Sequence, residues 1–420
     1  MKVLIRQAQI ISPSSPFNGQ YKDIFIKDGK IEKIGDAINE KADQVVEQAG
    51  LCVSIGWMDI FADFADPGYE HKENMETGAM AAAAGGFTDV MLLPNSNPVV
   101  DNKAQAEYIV QKARQLAVGI HPIGAVTKKA EGKELSEMYD MRQSGAIAFS
   151  DGINSIQNSG LLLKALQYVK SFGGTVIQIP DDKTIGTNGL MNEGIISTQM
   201  GLPGKPAMAE ELMVARDIKL ARYADSKLHF TGISSPKSLE YIKRAKESGI
   251  QVTCSVAPYQ VFFCDEDLQQ YDTNLKVDPP LRTRADMMAI RSALTDGTID
   301  CIASHHLPQD WDGKTCEFEY AKHGMIGLET MFASLMTIGL PVNDFVQMQS
   351  IAARKIFGLP VPEIKEGEMA SLTLFTTGTE YIYEEKMIRS KSKNSAFVGK
   401  KLKGKITGIV NKSKIELNQA

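Results

Sequence analysis

The chain has 420 residues, 43% of them hydrophobic, with a formal net charge of -5 and a sequence pI near 5.8. That length exceeds one ordinary domain and supports a large domain plus a smaller appendage. The mild acidity offers no basic field for phosphate backbones or anionic lipid, which argues against nucleic-acid and membrane partners.

At the start, Met1-Lys2-Val3-Leu4-Ile5 is broken at once by Arg6 and Gln7, and no later stretch approaches the roughly eighteen apolar residues of a membrane span. A soluble, unprocessed chain is expected. The cysteines Cys52, Cys254, Cys264, Cys301 and Cys316 form no CxxC pair, which fits free thiols in a reducing compartment and a cytoplasmic location.

The first fifty residues read as β structure: an apolar run at Val3 to Ile11, then Ile24 to Ile34 interrupted by Asp28-Gly29, a pair suited to the positive φ angles of a tight hairpin. The last fifty return to that style, with Ser371 to Phe375 alternating and a second apolar run at Gly404 to Val410. Neither end has enough strands alone, so both are expected to build one β-sandwich. Residues 1–52 and 363–420 are assigned to it, and 53–362 to the domain between.

In that middle domain short apolar runs alternate with helical periodicity. The runs fall at 56–64, 87–95, 118–126, 146–152, 174–181, 227–234, 251–258 and 299–305. Helical patterns lie between them at Asn102 to Gln115, Met208 to Ala224, Pro236 to Ser248 and Ala285 to Leu294. Eight strands alternating with helices over roughly 250 residues predict an α/β fold, a (β/α)8 TIM barrel with its working face at the strand C-termini. An open doubly wound sheet is the structural alternative. No internal repeat or low-complexity segment is evident.

Several phrases bear on chemistry. Asp66-Pro67-Gly68-Tyr69-Glu70-His71-Lys72-Glu73 follows the first barrel strand and Leu93-Pro94-Asn95-Ser96-Asn97-Pro98 the second. Gly201-Leu202-Pro203-Gly204 precedes the helix bearing Glu210-Glu211. Further on come Pro279-Pro280-Leu281-Arg282, Gly327-Leu328-Glu329-Thr330 and Ser390-Lys391-Ser392-Lys393-Asn394-Ser395-Ala396-Phe397. Together, in this order, they resemble the dihydroorotases. These are amidohydrolase-superfamily enzymes that open and close a cyclic amide in pyrimidine biosynthesis. The resemblance runs nearly end to end and implies the same barrel and sandwich.

That family's chemistry uses zinc to polarise a carbonyl and to acidify a bound water, which requires imidazoles and carboxylates on several strand ends. By the resemblance, the first-strand His-x-His falls on Phe61 and Asp63, the acid after the fourth strand on Asp151, and the fifth- and sixth-strand histidines on Ile179 and Gly232. The eighth-strand Asp, a proton shuttle and ligand, falls on His305. The substrate-binding Arg falls on Ala65 and the substrate-binding His on Gln309. Asn95 is retained, and Asp278 stands where the family has Asn, placing a negative charge near an anionic substrate.

The chain therefore resembles an inactive dihydroorotase-like homologue, with no metal or other cofactor expected. Asp63 and His305 look like exchanged partners. They are expected to form a hydrogen-bonded ion pair that raises the pKa of His305. The sharper alternative is a mononuclear zinc site of Asp63, Asp151 and His305, or a metal-free amidohydrolase using Asp151 and His305 as acid and base. His71 and His121 read as surface or loop residues, His229 as a satisfied core histidine, His306 as a supporting residue and His323 as part of the loop after the eighth strand. The resemblance further implies a homodimer, or a scaffold for aspartate carbamoyltransferase.

Overall fold

Alternating apolar residues at both ends of the chain make strands that pair with one another. The computed structural model describes residues 1–418. The N-terminal segment supplies β1 (Lys2–Ile10), β2 (Tyr21–Lys27), β3 (Lys30–Gly35), β4 (Gln44–Val46) and β5 (Cys52–Ile55). Between β2 and β3 the expected hairpin forms, with Asp28 at φ 50° and Gly29 at φ 82°. Gly29 is required twice over, because a Cβ there would lie 2.8 Å from the Lys412 backbone.

The barrel strands follow: β6 (Trp57–Ala62), β7 (Phe87–Leu92), β8 (Gly119–Gly124), β9 (Ala148–Phe149) and β10 (Thr175–Gln178). A small pair outside the barrel, β11 (Met191–Asn192) and β12 (Gly204–Lys205), was not foreseen in the sequence. The barrel then resumes with β13 (Lys227–Phe230), β14 (Val252–Val256) and β15 (Cys301–Ile302). Neighbouring barrel strands are parallel and in sequential order. The ring closes through a parallel bridge between Ala62 and His306, where the Asp63 N–H donates to the His306 carbonyl at 2.8 Å. Each strand lies within the run read from the sequence, and the open-sheet alternative falls away.

The helices also sit where periodicity put them, at Lys103–Ala113, Met208–Ala224, Pro236–Glu247 and Arg284–Ala293. Three of these starts have a chemical cause. Asn102 accepts from the Ala104 and Gln105 N–H groups, Ser235 precedes a proline at the first turn, and Thr283 and Asp286 cap each other.

The chain returns through β16 (Ser371–Ile382), β17 (Lys401–Asn411) and β18 (Lys414–Leu417), and β16 pairs with β5. The terminal strands thus form one hydrogen-bonded path, β18-β17-β16-β5-β1-β2-β3, with β4 on β1. Val3, Ile24, Ile31, Val53, Leu372 and Val410 from both ends share its buried core.

Trp57 joins this sheet to the barrel. Its ring is fully buried, with centroids of Phe345, Phe332 and Phe375 at 4.8, 5.0 and 5.2 Å, and its Nε1–H donates to Ser54 Oγ at 2.9 Å. Trp57→Ala is expected to cost about 3 to 5 kcal/mol. Urea unfolding of the variant checks this; a loss within 1 kcal/mol or so would mean that the aromatic cluster carries no joint.

Candidate functional site at the barrel mouth

The residues singled out in the sequence do gather at the C-terminal ends of the barrel strands. Phe61 is on β6, with Asp63 just beyond it; Asp151, Ile179, Gly232 and His305 follow β9, β10, β13 and β15. Their side chains, however, do different things.

Phe61 and Ile179 belong to the apolar filling of the barrel, in one cluster with Met58, Met91, Ile123, Ile177 and Ala303. Side chains stacked in layers are what fill an eight-stranded barrel, so these two extend the core up to the mouth. His305 lies on top of it. Its ring centroid is 4.6 Å from that of Phe61 with the planes at 31°, and the edge of Tyr259 meets it at 6.4 Å.

The Nε2 of His305 is 2.8 Å from Thr231 Oγ1, which is 2.9 Å from Ser255 Oγ. Ser255 Oγ is in turn 3.0 Å from His229 Nε2, and His229 Nδ1 is 2.8 Å from Thr253 Oγ1. His229 is thus the satisfied core histidine that the sequence suggested. Burial pushes the pKa of His229 and of His305 down to about 3, so both rings are neutral at physiological pH.

This overturns the expected Asp63–His305 pair. The Asp63 carboxylate accepts from the Ala65 N–H at 2.7 Å, and no ion pair joins it to His305 among the described residues. The short turn after β6 aims Asp63 back at its own backbone, leaving Thr231 as the neighbour of His305. Burial outweighs the opposing charge of Asp278 and sets the direction of the His305 shift, which is downward rather than upward. Burial likewise raises the pKa of Asp63.

Asp151 also faces elsewhere. Its carboxylate accepts from the Thr127 N–H at 2.8 Å and from the Thr127 hydroxyl at 2.5 Å, and burial pushes its pKa up to about 6. Asp63, Asp151 and His305 therefore do not converge, and among the described residues no three His, Cys, Asp or Glu side chains are placed to hold a metal ion. The donor set does not fit a zinc centre: a phenyl ring, a sec-butyl group and a hydrogen atom at positions 61, 179 and 232 offer no lone pair.

The expected substrate-binding residues are occupied as well. Asn95 donates from Nδ2 to the Asp151 carbonyl at 3.1 Å and accepts from the Ile153 N–H at 3.1 Å, so it ties down its neighbouring loop. Asp278 shares one ammonium with Asp181, so the group as a whole keeps a negative charge. Lys205 Nζ lies 2.7 Å from Asp278 and 2.9 Å from Asp181. Sequence reasoning missed Lys205, although it directly follows Gly201-Leu202-Pro203-Gly204. Ala65 is buried at φ 55°, and Gln309 donates from Nε2 to the His323 carbonyl at 2.8 Å.

The other matching phrases hold the loops of the mouth. Glu73 accepts from the Ser390 hydroxyl and from the Lys391 N–H at 3.1 Å, and Glu329 accepts from the Arg389 N–H at 2.8 Å. Asn394 donates to the Leu307 and Gly324 carbonyls, both at 3.1 Å, and accepts from the Gln309 N–H at 3.1 Å. Glu210 accepts from the Ser235 N–H at 2.9 Å, beside Arg282, which donates to Ser234 Oγ at 2.9 Å and Asn192 Oδ1 at 3.0 Å. Of the remaining histidines, His71 is exposed, His121 contacts Asp89 at 3.0 Å, and His306 Nε2 is 3.7 Å from Glu73.

Gly232 is at φ 71°, and a Cβ there would lie 2.8 Å from His305 Cε1. Gly232→Ala is expected to destabilise by about 1 to 3 kcal/mol, measured by urea unfolding. A neutral effect would show that His305 is free to move. A second test concerns Asp151, whose folded-state pKa lies above its unfolded value. Its contribution to stability is present in acid and is lost as pH rises through about 6. Asp151→Asn should therefore gain stability relative to the parent as pH rises from about 4 to 7. A stability difference between the two proteins that does not change with pH would contradict the buried, proton-retaining carboxyl.

Comparison with known proteins agrees with this architecture. A family model described as dihydro-orotase-like matches residues 51–238. A dihydroorotase of Syntrophus aciditrophicus is 38% identical over 413 residues, covering 97% of both chains, and one of Acetivibrio thermocellus is 39% identical over 410 residues, covering 96% of both. Among solved structures, the L-hydantoinase (dihydropyrimidinase) of Arthrobacter aurescens superposes with a TM-score of 0.87 at 20% identity, covering 99% of this chain and 97% of that one. The last likeness shows the fold, whereas the near end-to-end identity to the first two shows that this chain belongs to the dihydroorotase family.

Proposed function

We propose that this chain is a non-catalytic member of the dihydroorotase family, a structural or regulatory homologue that keeps the scaffold without the zinc chemistry. One observation carries the reading: the neutral His305 ring lies over Phe61 at 4.6 Å, so aromatic packing stands where the family resemblance places metal ligands. The substrate side is consistent with it, since Asn95 is committed to its own loop.

The alternative of an altered active site built on Asp151 and His305 is disfavoured by the same geometry. The carboxyl of Asp151 is held by Thr127 and the imidazole of His305 by Thr231, so the two are not poised on one reacting atom. A ring with its pKa near 3 is also a poor base at neutral pH.

A scaffold without catalysis acts through contacts. We therefore assign it a homodimer or an assembly with aspartate carbamoyltransferase in the cytoplasm. No helix among the described residues is long and apolar enough to cross a membrane, and the five cysteines are free.

Purified protein supplied with zinc is expected to show no hydrolysis of dihydroorotate and no cyclisation of carbamoyl aspartate above the uncatalysed rate. Metal-dependent turnover that disappears in Asp151→Asn would overturn the proposal in favour of the altered active site.

A further inference from the structure

Two adjacent barrel strands carry polar residues on the face where the barrel is otherwise apolar. Along β13 and just past its end the order is Leu228-His229-Phe230-Thr231, and along β14 it is Val252-Thr253-Cys254-Ser255. Strand alternation sends Leu228, Phe230, Val252 and Cys254 into the core shared with the helices, and the four polar side chains to the opposite face, inside the barrel. There the His229 ring lies 5.7 Å from that of Phe357, which belongs to the same apolar cluster as Phe61 and Ile179. His229 pairs with Thr253 across the parallel strands, so the four stand in step.

These four and His305 form a single file. From base to mouth, Thr253 Oγ1 is 2.8 Å from His229 Nδ1, His229 Nε2 is 3.0 Å from Ser255 Oγ, Ser255 Oγ is 2.9 Å from Thr231 Oγ1, and Thr231 Oγ1 is 2.8 Å from His305 Nε2. His229, Ser255, Thr231 and His305 have no exposed surface. Thr253 is half-buried and lines a cavity of about 200 Å³ at the N-terminal end of the barrel, together with Lys227, Gln251 and Lys355.

Proton counting fixes the direction of the file. A hydroxyl has one proton, and a neutral imidazole has one N–H and one acceptor nitrogen. The Ser255 hydroxyl donates to Thr231 Oγ1, so Ser255 must accept from His229 Nε2–H. His229 Nδ1 is then an acceptor and takes the Thr253 hydroxyl proton. At the other end the Thr231 proton goes to His305 Nε2, which leaves the His305 proton on Nδ1. Both rings are held neutral by burial, so neither supplies a spare proton. Reversing a single link would set two donors or two lone pairs face to face in an interior shielded from solvent. The file therefore turns as a whole or not at all.

We infer that this file is a hydrogen-bond relay through the barrel, by which the donor at Thr253 on the basal face sets the tautomer of His305 at the mouth. It has two discrete registers. In one, His229 is protonated on Nε2 and His305 on Nδ1; in the other, His229 on Nδ1 and His305 on Nε2. The two rings carry opposite tautomers in either register. An acceptor bound in the basal cavity would take the Thr253 proton and turn the file. His305 Nδ1, which has no partner among the described residues, would then change from an N–H to a lone pair. The relay operates whether or not the chain turns over a substrate.

Heteronuclear NMR of the full chain with isotopically labelled histidine distinguishes protonated from unprotonated ring nitrogens, and loss of signals in His229→Gln and His305→Gln assigns the two rings. The expected result is opposite tautomers, with the proton on Nε2 of His229 and on Nδ1 of His305, each favoured by about tenfold or more. In Thr253→Val the first donor is lost, and the signals of both rings should move together toward the other tautomer. Thr253→Ser keeps the hydroxyl and should keep the parent spectrum. Ser255→Ala cuts the file, so adding Thr253→Val to it should leave His305 unmoved.

Thermal melting verifies that each variant folds, and the parent spectrum by itself decides whether the rings are opposed. The same tautomer in both rings would overturn the inference. So would a response to Thr253→Val that is absent or confined to His229.

Discussion

The barrel mouth of this protein is organised by the packing of one ring on another. His305 lies over Phe61, and the space it takes is available because residue 232 is glycine: any Cβ there would meet the imidazole at 2.8 Å. Phe61 in turn continues the apolar cluster that fills the barrel. These positions are therefore coupled, and a ligating side chain at residue 232 would collide with His305. His305 holds its place at φ 45°, a conformation uncommon for a residue with a Cβ, and a buried chain of hydroxyls fixes its far edge.

From that constraint the electrostatics follow. Buried acids need donors or cations around them. Here the acids have turned to backbone donors and hydroxyls: Asp63 to Ala65, Asp151 to Thr127, Glu73 to the Ser390–Lys391 segment. Two further acids, Asp181 and Asp278, lie on either side of Lys205. The loops of the mouth stay ordered because Glu73, Glu329 and Asn394 bind them from beneath. Residues that carry the family's resemblance thus do structural work that survives whether or not anything is turned over.

Much of this was legible in the sequence, for definite reasons. The eight barrel strands were found because each is a short apolar run between amphipathic helices, and a two-residue strand such as Cys301–Ile302 still sits inside a longer apolar stretch. The gathering of positions 61, 63, 151, 179, 232 and 305 at one end followed from the barrel itself. What could not be read was the direction of side chains. The Asp63–His305 pair was inferred from an exchange of residue types, yet a turn of two residues decides where a carboxylate points. Lys205 was overlooked for a similar reason: nothing in its sequence neighbourhood brings Asp181 and Asp278 to it, and only the fold does.

The proposed non-catalytic reading requires that aromatic packing of His305 on Phe61 organises this barrel mouth without a cation. Elemental analysis of the protein, prepared with zinc in excess and then dialysed, addresses it most directly. The account predicts that the metal washes out to a small fraction of the chain concentration. Zinc retained in stoichiometric amount, and lost when Asp63, Asp151 and His305 are replaced together, would contradict it.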